Sequence, residues 1–349
     1  MKDITIKSDI TINNAMKALS ETGKKCLLVV DGNKKLLGTV TDGDLRRGIL
    51  KGIDFNNSIE EIYNQDPIVL KEGMFKMKEV GAIMTAREID LVPIIDEHWR
   101  VCSYLTWEEV FSNVKNPKKK SLTVPIVIMA GGKGARLEPF TKILPKPLIP
   151  IQEKPVIEHI LERFTDVGVN EFIITVNYKS LIMKAFFEEL KPDYSVHFVE
   201  EEEPMGTAGG LKFLENKFKG PFMVTNCDVI IKTDYFDLYE FHKKNDYDIT
   251  LVASMKNYTI PYGTCELNGE GHLKQINEKP EYDFLVNTGL YIINPDVLHL
   301  IPADKLYHIT HLIEDTQKSG KRVGVYPIDD DAWIDVGQWA EYQQAVEQL

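Results

Sequence analysis

Two patterns of hydrophobic spacing divide this chain. Near its start, apolar positions three and four apart (Ala15, Met16, Leu19) predict an amphipathic helix, and the unbroken run Cys26-Leu27-Leu28-Val29-Val30 predicts a buried strand. The pattern returns 65 residues later as Val80, Ile83 and Met84, followed by Leu91-Val92-Pro93-Ile94-Ile95. At that offset Asp31 meets Asp96, Thr41 meets Thr106, Asp44 meets Glu109 and Leu45 meets Val110. Each copy reads as helix, strand, turn, strand, helix and is too small to bury its own apolar face. The two halves of residues 1–115, about 1–60 and 61–115, are therefore expected to pack as a pseudo-symmetric pair.

Lys115-Asn116-Pro117-Lys118-Lys119-Lys120-Ser121 has no apolar periodicity, which predicts a linker over 116–122. From 123 to 349 strand-like and helical runs alternate. Strands are expected over 124–130, 172–176, 196–199 and 222–225, with a helix over 181–190 and another whose inner face is Val156, Ile157, Ile160, Leu161 and Phe164. That order predicts an α/β fold with a mostly parallel sheet covered on both faces, and such sheets bind ligands at the carboxyl ends of their strands.

Composition narrows the function classes. A chain of 349 residues exceeds one usual core, and 43% hydrophobic with 27% charged residues is a globular balance. The longest apolar run, 126–130, is far below the roughly 20 residues that span a bilayer, so no membrane partner is expected. The first residues lack the pattern of a signal peptide. Cys26, Cys102, Cys227 and Cys265 have no paired spacing for zinc or redox work, so a reduced, cytoplasmic protein is expected. A net charge of −12 argues against nucleic acid as a partner but leaves room for a small phosphorylated ligand held by local cations.

Those cations follow the strand at 124–130. Ala130-Gly131-Gly132-Lys133-Gly134-Ala135-Arg136-Leu137 places three glycines where backbone N–H groups can cradle phosphate oxygens, with Arg136 two residues on and Lys146 within Pro145-Lys146-Pro147. Neither the Walker loop nor the dinucleotide fingerprint has this spacing. Ala130 through Leu137, Pro139, Thr141 and Pro145-Lys146-Pro147-Leu148 together resemble the sugar-1-phosphate nucleotidyltransferases, with Ala135 where Thr or Ser is usual. That resemblance, over about 123–349, implies a Rossmann-like domain in which Ala130, Gly131, Gly132, Gly134, Gly206 and Thr207 bind a nucleotide. It further implies that Arg136 and Lys146 act on its phosphates, and that Glu278, Lys279, Asn287, Thr288 and Gly289 hold the sugar phosphate. Asp228 and Asp335, in Asn226-Cys227-Asp228 and Trp333-Ile334-Asp335-Val336-Gly337, are the implied ligands of Mg²⁺. Gly38-Thr39-Val40-Thr41-Asp42-Gly43-Asp44-Leu45 resembles the nucleotide-contacting segment of tandem CBS domains, which implies a purine nucleotide at Thr41 and Asp44, or a module that only dimerises. The second copy departs from it with Trp107 and Glu109. A homodimer or higher homo-oligomer is expected.

The nucleobase is expected to be read near Glu200-Glu201-Glu202-Glu203, just before the Gly206 turn. Relatives that use uridine or thymidine nucleotides commonly carry an amide at the position of Glu201. A carboxylate only accepts hydrogen bonds, which suits N1–H and the exocyclic amine of guanine, so GTP is favoured over UTP or CTP. Gly206-Thr207-Ala208-Gly209-Gly210 is similar to guanylyltransferases of the mannose-1-phosphate type. Joined to a CBS pair, it also resembles those that act on glucosamine-1-phosphate for legionaminic acid synthesis. Two other classes compete. Nucleotide-sugar-dependent glycosyltransferases share an Asp after a strand but lack the glycine loop with Pro-Lys-Pro, and a non-catalytic regulatory homologue would have no need of Arg136, Lys146, Asp228 and Asp335 together.

Overall fold

A computed structural model describes residues 3–87, 89–111, 121–269, 271–303 and 305–348. The chain forms two compact units, Met1–Lys119 and Lys120–Leu349. The expected linker residues 116–120 lie outside the described residues. Residues 121 and 122 correct the expected boundary, because they already belong to the second unit. Leu122 is buried in its core and donates its N–H to the Val167 carbonyl, and the Ser121 hydroxyl donates to the Gly168 carbonyl. Leu122 and Val124 are both buried, so packing into this core begins ahead of the first strand.

The first unit is a repeat at the level of single bonds. Helices Ile12–Thr22 and Met77–Arg87 lie 65 residues apart at both ends. Strands Cys26–Val30 and Leu36–Thr41 pair antiparallel with a register shift between Val29 and Val30, and Leu91–Ile95 and Val101–Thr106 do the same between Ile94 and Ile95. Asp31 and Asp96 each accept backbone N–H groups across their turns, while Lys34 and Trp99 each take a positive φ. The copies join reciprocally: Leu36 N–H donates to the Trp99 carbonyl, and Val101 N–H donates to the Lys34 carbonyl. Both bonds run from position i of one copy to the equivalent of i − 2 in the other, as a pseudo-two-fold between Lys35 and Arg100 requires.

The second unit is built on a seven-stranded sheet. Its strands are β1 (Ile126–Met129), β2 (Glu171–Val176), β3 (Ser195–Glu200), β4 (Phe222–Asn226), β5 (Ile249–Thr259), β6 (Glu281–Ile293) and β7 (Val323–Ile328), in the order β3-β2-β1-β4-β6-β5-β7. β6 runs antiparallel to both its neighbours, and the other pairings are parallel. Helices Val156–Thr165 and Ser180–Leu190 occupy their expected places. Alternation along β1 explains the two layers: Ile126 and Ile128 enter the core with Phe164, Phe172 and Tyr235, whereas Val127 enters the opposite core with Leu211, Tyr291 and Leu312. β1 thus lies central and covered on both faces, with its carboxyl end opening at the glycine loop.

Each unit has its own core, and Leu122 starts the second. Residues 121–349 alone should therefore unfold in one cooperative thermal transition, followed by circular dichroism. A non-cooperative melt with strong dye binding would show that the second unit depends on the first.

Candidate active site

The three glycines after β1 serve three different ends. A Cβ on Gly131 would lie 3.2 Å from both carboxylate oxygens of Glu201, so this position makes room for a protein side chain. Gly134 has φ of +66°, and a Cβ there would meet Thr141 Cγ2 at 2.9 Å and Lys146 Cβ at 3.0 Å. Its carbonyl accepts the Thr141 hydroxyl at 3.0 Å, which folds the Pro-Lys-Pro segment back onto the loop. Around Gly132 there is open space among the described residues, so it is Gly132 that leaves the backbone approachable. Arg136 is exposed on the one-turn helix Ala135–Leu137, beyond the loop.

At the end of β4 the chain turns into the short strand Val229–Ile231, which pairs antiparallel with Trp333–Asp335 and sets Val229 opposite Asp335. Val336 N–H donates to the Asp228 carbonyl at 2.8 Å, and Gly337 N–H donates to Asp335 Oδ1 at 2.7 Å. The two carboxylates converge at Gly337, where a Cβ would sit 2.9 Å from Asp335 Oδ1 and 3.5 Å from Asp228 Oδ2. Burial, then the charge of Asp228, pushes the Asp335 carboxyl above the usual carboxylate range. The Lys146 ammonium, itself largely buried, forms an ion pair with Asp228. Two carboxylates separated by more than a hundred residues of chain thus share one half-buried place with one lysine.

Among the described residues no cluster of three or more His, Cys, Asp or Glu could cage a metal. Two hard oxygen donors with excess negative charge nevertheless suit Mg²⁺, which binds through one or two carboxylates plus substrate phosphates.

Glu201 differs from its acidic neighbours. It is 7% exposed, while Glu200, Glu202 and Glu203 are exposed. Its Oε2 accepts the Met205 N–H at 3.2 Å, and Thr175 bonds to the same carboxylate. A Cβ on Gly210 would lie 2.3 Å from Oε1, so Gly210 as well as Gly131 is shaped around this side chain. Burial pushes the Glu201 carboxyl up. Ala130 is buried at the end of β1, and its N–H donates to the Thr175 carbonyl, so β1, β2 and Glu201 are tied together. Gly206 has φ of +84° and opens the short helix Gly206–Gly209, and the Thr207 hydroxyl accepts the Ile309 N–H at 3.0 Å.

On the other side, Glu278 and Lys279 are exposed between the hairpin strands Thr264–Leu267 and Leu273–Asn277 and the start of β6. Asn287 Nδ2 donates to the Tyr291 hydroxyl at 2.8 Å, and Asn287 Oδ1 accepts the Gly289 N–H. Thr288 is 2% exposed and donates its hydroxyl to the Val252 carbonyl, so its side chain is committed to the sheet. A Cβ on Gly289 would strike Asn226 Nδ2 at 2.5 Å, which makes Asn226 the link between β6 and the turn that carries Asp228. Thr175 and Tyr307 are contributors that motif reading missed, while Asn226, Gly210 and Thr141 lie inside the motifs without a role assigned to them. A glycine pair at 209–210 was the one visible signal of these roles, since the rest act through contacts distant in sequence.

In the first unit Thr41 caps the helix Asp42–Leu50. Asp44 Oδ2 accepts the Thr41 N–H at 2.9 Å and the Thr41 hydroxyl at 2.6 Å, and Arg47 pairs with Oδ1. Thr106 and Glu109 repeat this capping arrangement in the second copy. The longer acid thus preserves the cap.

The sequence matches the nucleotidyl transferase family over residues 126–349 and the CBS domain family over residues 1–51. Curated relatives include the mannose-1-phosphate guanyltransferases of Yarrowia lipolytica, 36% identical over 223 residues, and of Saccharomyces cerevisiae, 34% identical over 227 residues, each match covering 61% of this chain. The matches span 60% and 61% of those relatives' own lengths, about three fifths. Among solved structures, HddC from Yersinia pseudotuberculosis is 26% identical with a TM-score of 0.52, covering 64% of this chain and 99% of that one. The same protein complexed with GMP-PN gives 25% and 0.51, with the same coverage. The strand order, the glycine loop and these matches agree: the chain belongs to the nucleotidyl transferase family and carries an N-terminal CBS domain.

Proposed function

We propose that this protein is a sugar-1-phosphate guanylyltransferase, which transfers GMP from GTP to a hexose-1-phosphate and releases pyrophosphate. The observation that carries the base assignment is Glu201. A carboxylate offers about four acceptor positions, of which Met205 N–H and Thr175 occupy two. Two remain for the N1–H and exocyclic amine of guanine, and a buried carboxylate with spare acceptors gains most from such donors. Support for the sugar comes from the relatives, named as mannose-1-phosphate guanyltransferases, so mannose-1-phosphate is the first acceptor to test. Glucosamine-1-phosphate, suggested by the joined CBS and guanylyltransferase-like segments, is the second.

A sugar-phosphate oxygen forms a bond to the α-phosphorus of GTP while the bond from that phosphorus to the bridging oxygen breaks, and pyrophosphate leaves. The attacking oxygen is already anionic, so the protein's task is to align anions and stabilise redistributed charge. Gly132 and its neighbours present backbone N–H groups, Arg136 meets the triphosphate, Lys146 meets the α-phosphate and Lys279 meets the sugar phosphate. Asp228 and Asp335 would hold Mg²⁺, which supplies charge neutralisation along the phosphates. Lys146 can leave Asp228 for phosphate once a cation compensates that carboxylate.

Asp228→Asn and Asp335→Asn should each lower turnover by at least a hundredfold while the thermal midpoint stays within a few degrees, measured by pyrophosphate release. Ordinary Mg²⁺-dependent rates in both variants would remove them from the metal site. Glu201→Gln should reduce the preference for GTP over UTP by ~1–3 kcal/mol, read from the ratio of kcat/KM values. An unchanged ratio would return Glu201 to a structural role.

The first unit supports a second, regulatory reading through Thr41 and Asp44, whose cap places a helix N-terminus and two acceptors together. A regulator must bind two states of the enzyme with different affinity to change its rate. Titration of AMP, ATP, GMP and GTP against the full chain and Asp44→Asn should show one purine nucleotide whose binding the substitution weakens. With no nucleotide bound outside the active site, the repeat is a dimerisation module.

A further inference from the structure

The turn that carries Gly206 is clasped from outside by the residues preceding the helix Ile309–Lys318. Tyr307 N–H donates to the Met205 carbonyl at 2.9 Å, and the Tyr307 carbonyl accepts the N–H groups of Ala208 at 3.0 Å and Gly209 at 3.1 Å. Ile309 N–H donates to the Thr207 hydroxyl, and Thr207 N–H donates to His308 Nδ1 at 3.4 Å. The approach is so close that a Cβ on Gly206 would lie 2.7 Å from the Tyr307 carbonyl oxygen and 3.1 Å from His308 Nδ1. Five hydrogen bonds therefore fasten one short turn to a segment a hundred residues away. Met205 is also the donor to Glu201 Oε2, so the clasp continues directly to the carboxylate.

Most of this clasp is backbone and would tolerate almost any side chain. Two side chains take part, the Thr207 hydroxyl on the turn and the His308 imidazole on the clasping segment. Sequence spacing makes His308 and His311 a structural helical pair, and part of that holds: His308 N–H donates to His311 Nδ1, a reciprocal cap on the helix start. Ser or Thr would cap as well, with a shorter side chain. The imidazole of His308 also reaches beyond the cap to the Gly206 turn, a contact that the capping role does not require.

We propose that His308 is a positioning residue for purine recognition: its Nδ1 accepts the Thr207 N–H and holds the Gly206 turn at a fixed distance from the Glu201 carboxylate. This rests on the reading of Glu201 as the residue that contacts guanine. Without the acceptor, Thr207 N–H loses its partner and the turn can rotate on its positive-φ glycine, so the base is held less well while the phosphate loop and carboxylate pair are untouched. Tyr307 braces the segment from the far side through its hydroxyl, which donates to Asp315 Oδ2 at 2.6 Å.

The test is equilibrium binding of GTP and of UTP to the full chain in Mg²⁺, by calorimetric titration, with thermal midpoints for each variant. His308→Ala should weaken GTP binding about three- to tenfold, the size of one net hydrogen bond, and UTP binding less. His308→Asn, whose side-chain oxygen can occupy the place of Nδ1, should restore most of the loss. His311→Ala removes the reciprocal cap and the ring packed against Tyr307 and His308 but leaves His308 Nδ1 in place, so it should lower the thermal midpoint with a smaller loss of GTP affinity than His308→Ala. Unaltered GTP affinity in His308→Ala overturns the proposal, as does a loss equal for both nucleotides that Asn does not rescue. Glu201→Gln separates the two ideas. If it changes the GTP-to-UTP ratio and His308→Ala does not, the clasp fails alone. If Glu201→Gln leaves that ratio unchanged, the base assignment beneath it has failed.

Discussion

Two carboxylates held in one half-buried place are the constraint around which the second unit is organised. Asp228 and Asp335 repel each other, and burial adds to the cost, as the raised Asp335 carboxyl shows. No local segment would adopt this arrangement. It persists because the strand pair Val229–Ile231 with Trp333–Asp335 fixes both backbones, Gly337 supplies an N–H, and Lys146 brings a compensating charge. Removing the partner of a buried charge costs more than the pair contributes by its presence. The Pro-Lys-Pro segment, the glycine loop it folds against and the end of β4 are therefore energetically one object, although they come from three parts of the chain.

The same logic extends to the Glu201 side, with backbone groups in place of charges. Glu201 is enclosed by two glycines whose missing Cβ atoms define its slot, and by Thr175 on β2. Its carboxylate connects through Met205 to a turn that the helix start at Ile309 fastens in place. Enclosure of this kind fixes the carboxylate before any ligand arrives. Gly132, the loop glycine facing open space, leaves approachable a stretch of backbone that Gly131 and Gly134 have already positioned.

The first unit follows a different principle, repetition. Its copies agree in helix ends, strand register, bulge position and turn conformation at one constant offset, and they meet through reciprocal bonds about Lys35 and Arg100. Replacement of Asp44 by Glu109 keeps the helix cap, which shows that capping is common to both copies.

The repeat, the alternation of strand and helix, the glycine loop and the candidate metal ligands were all legible in the sequence, because each is a local pattern: a period, a turn-forming run, or a charged residue beside a strand end. The two copies of the repeat show in the sequence because an offset of 65 survives in side-chain types. Tertiary structure alone decided what those residues touch. It set Gly131 against the Glu201 carboxylate, bonded the Thr288 hydroxyl to a sheet carbonyl, and singled out one glutamate of four. It also reversed β6 within an otherwise parallel sheet and brought His308 to the Gly206 turn. The reason is physical. Burial, electrostatic neighbours and close backbone approach depend on segments tens to hundreds of residues apart, and no period or motif in a single chain encodes which of them will meet.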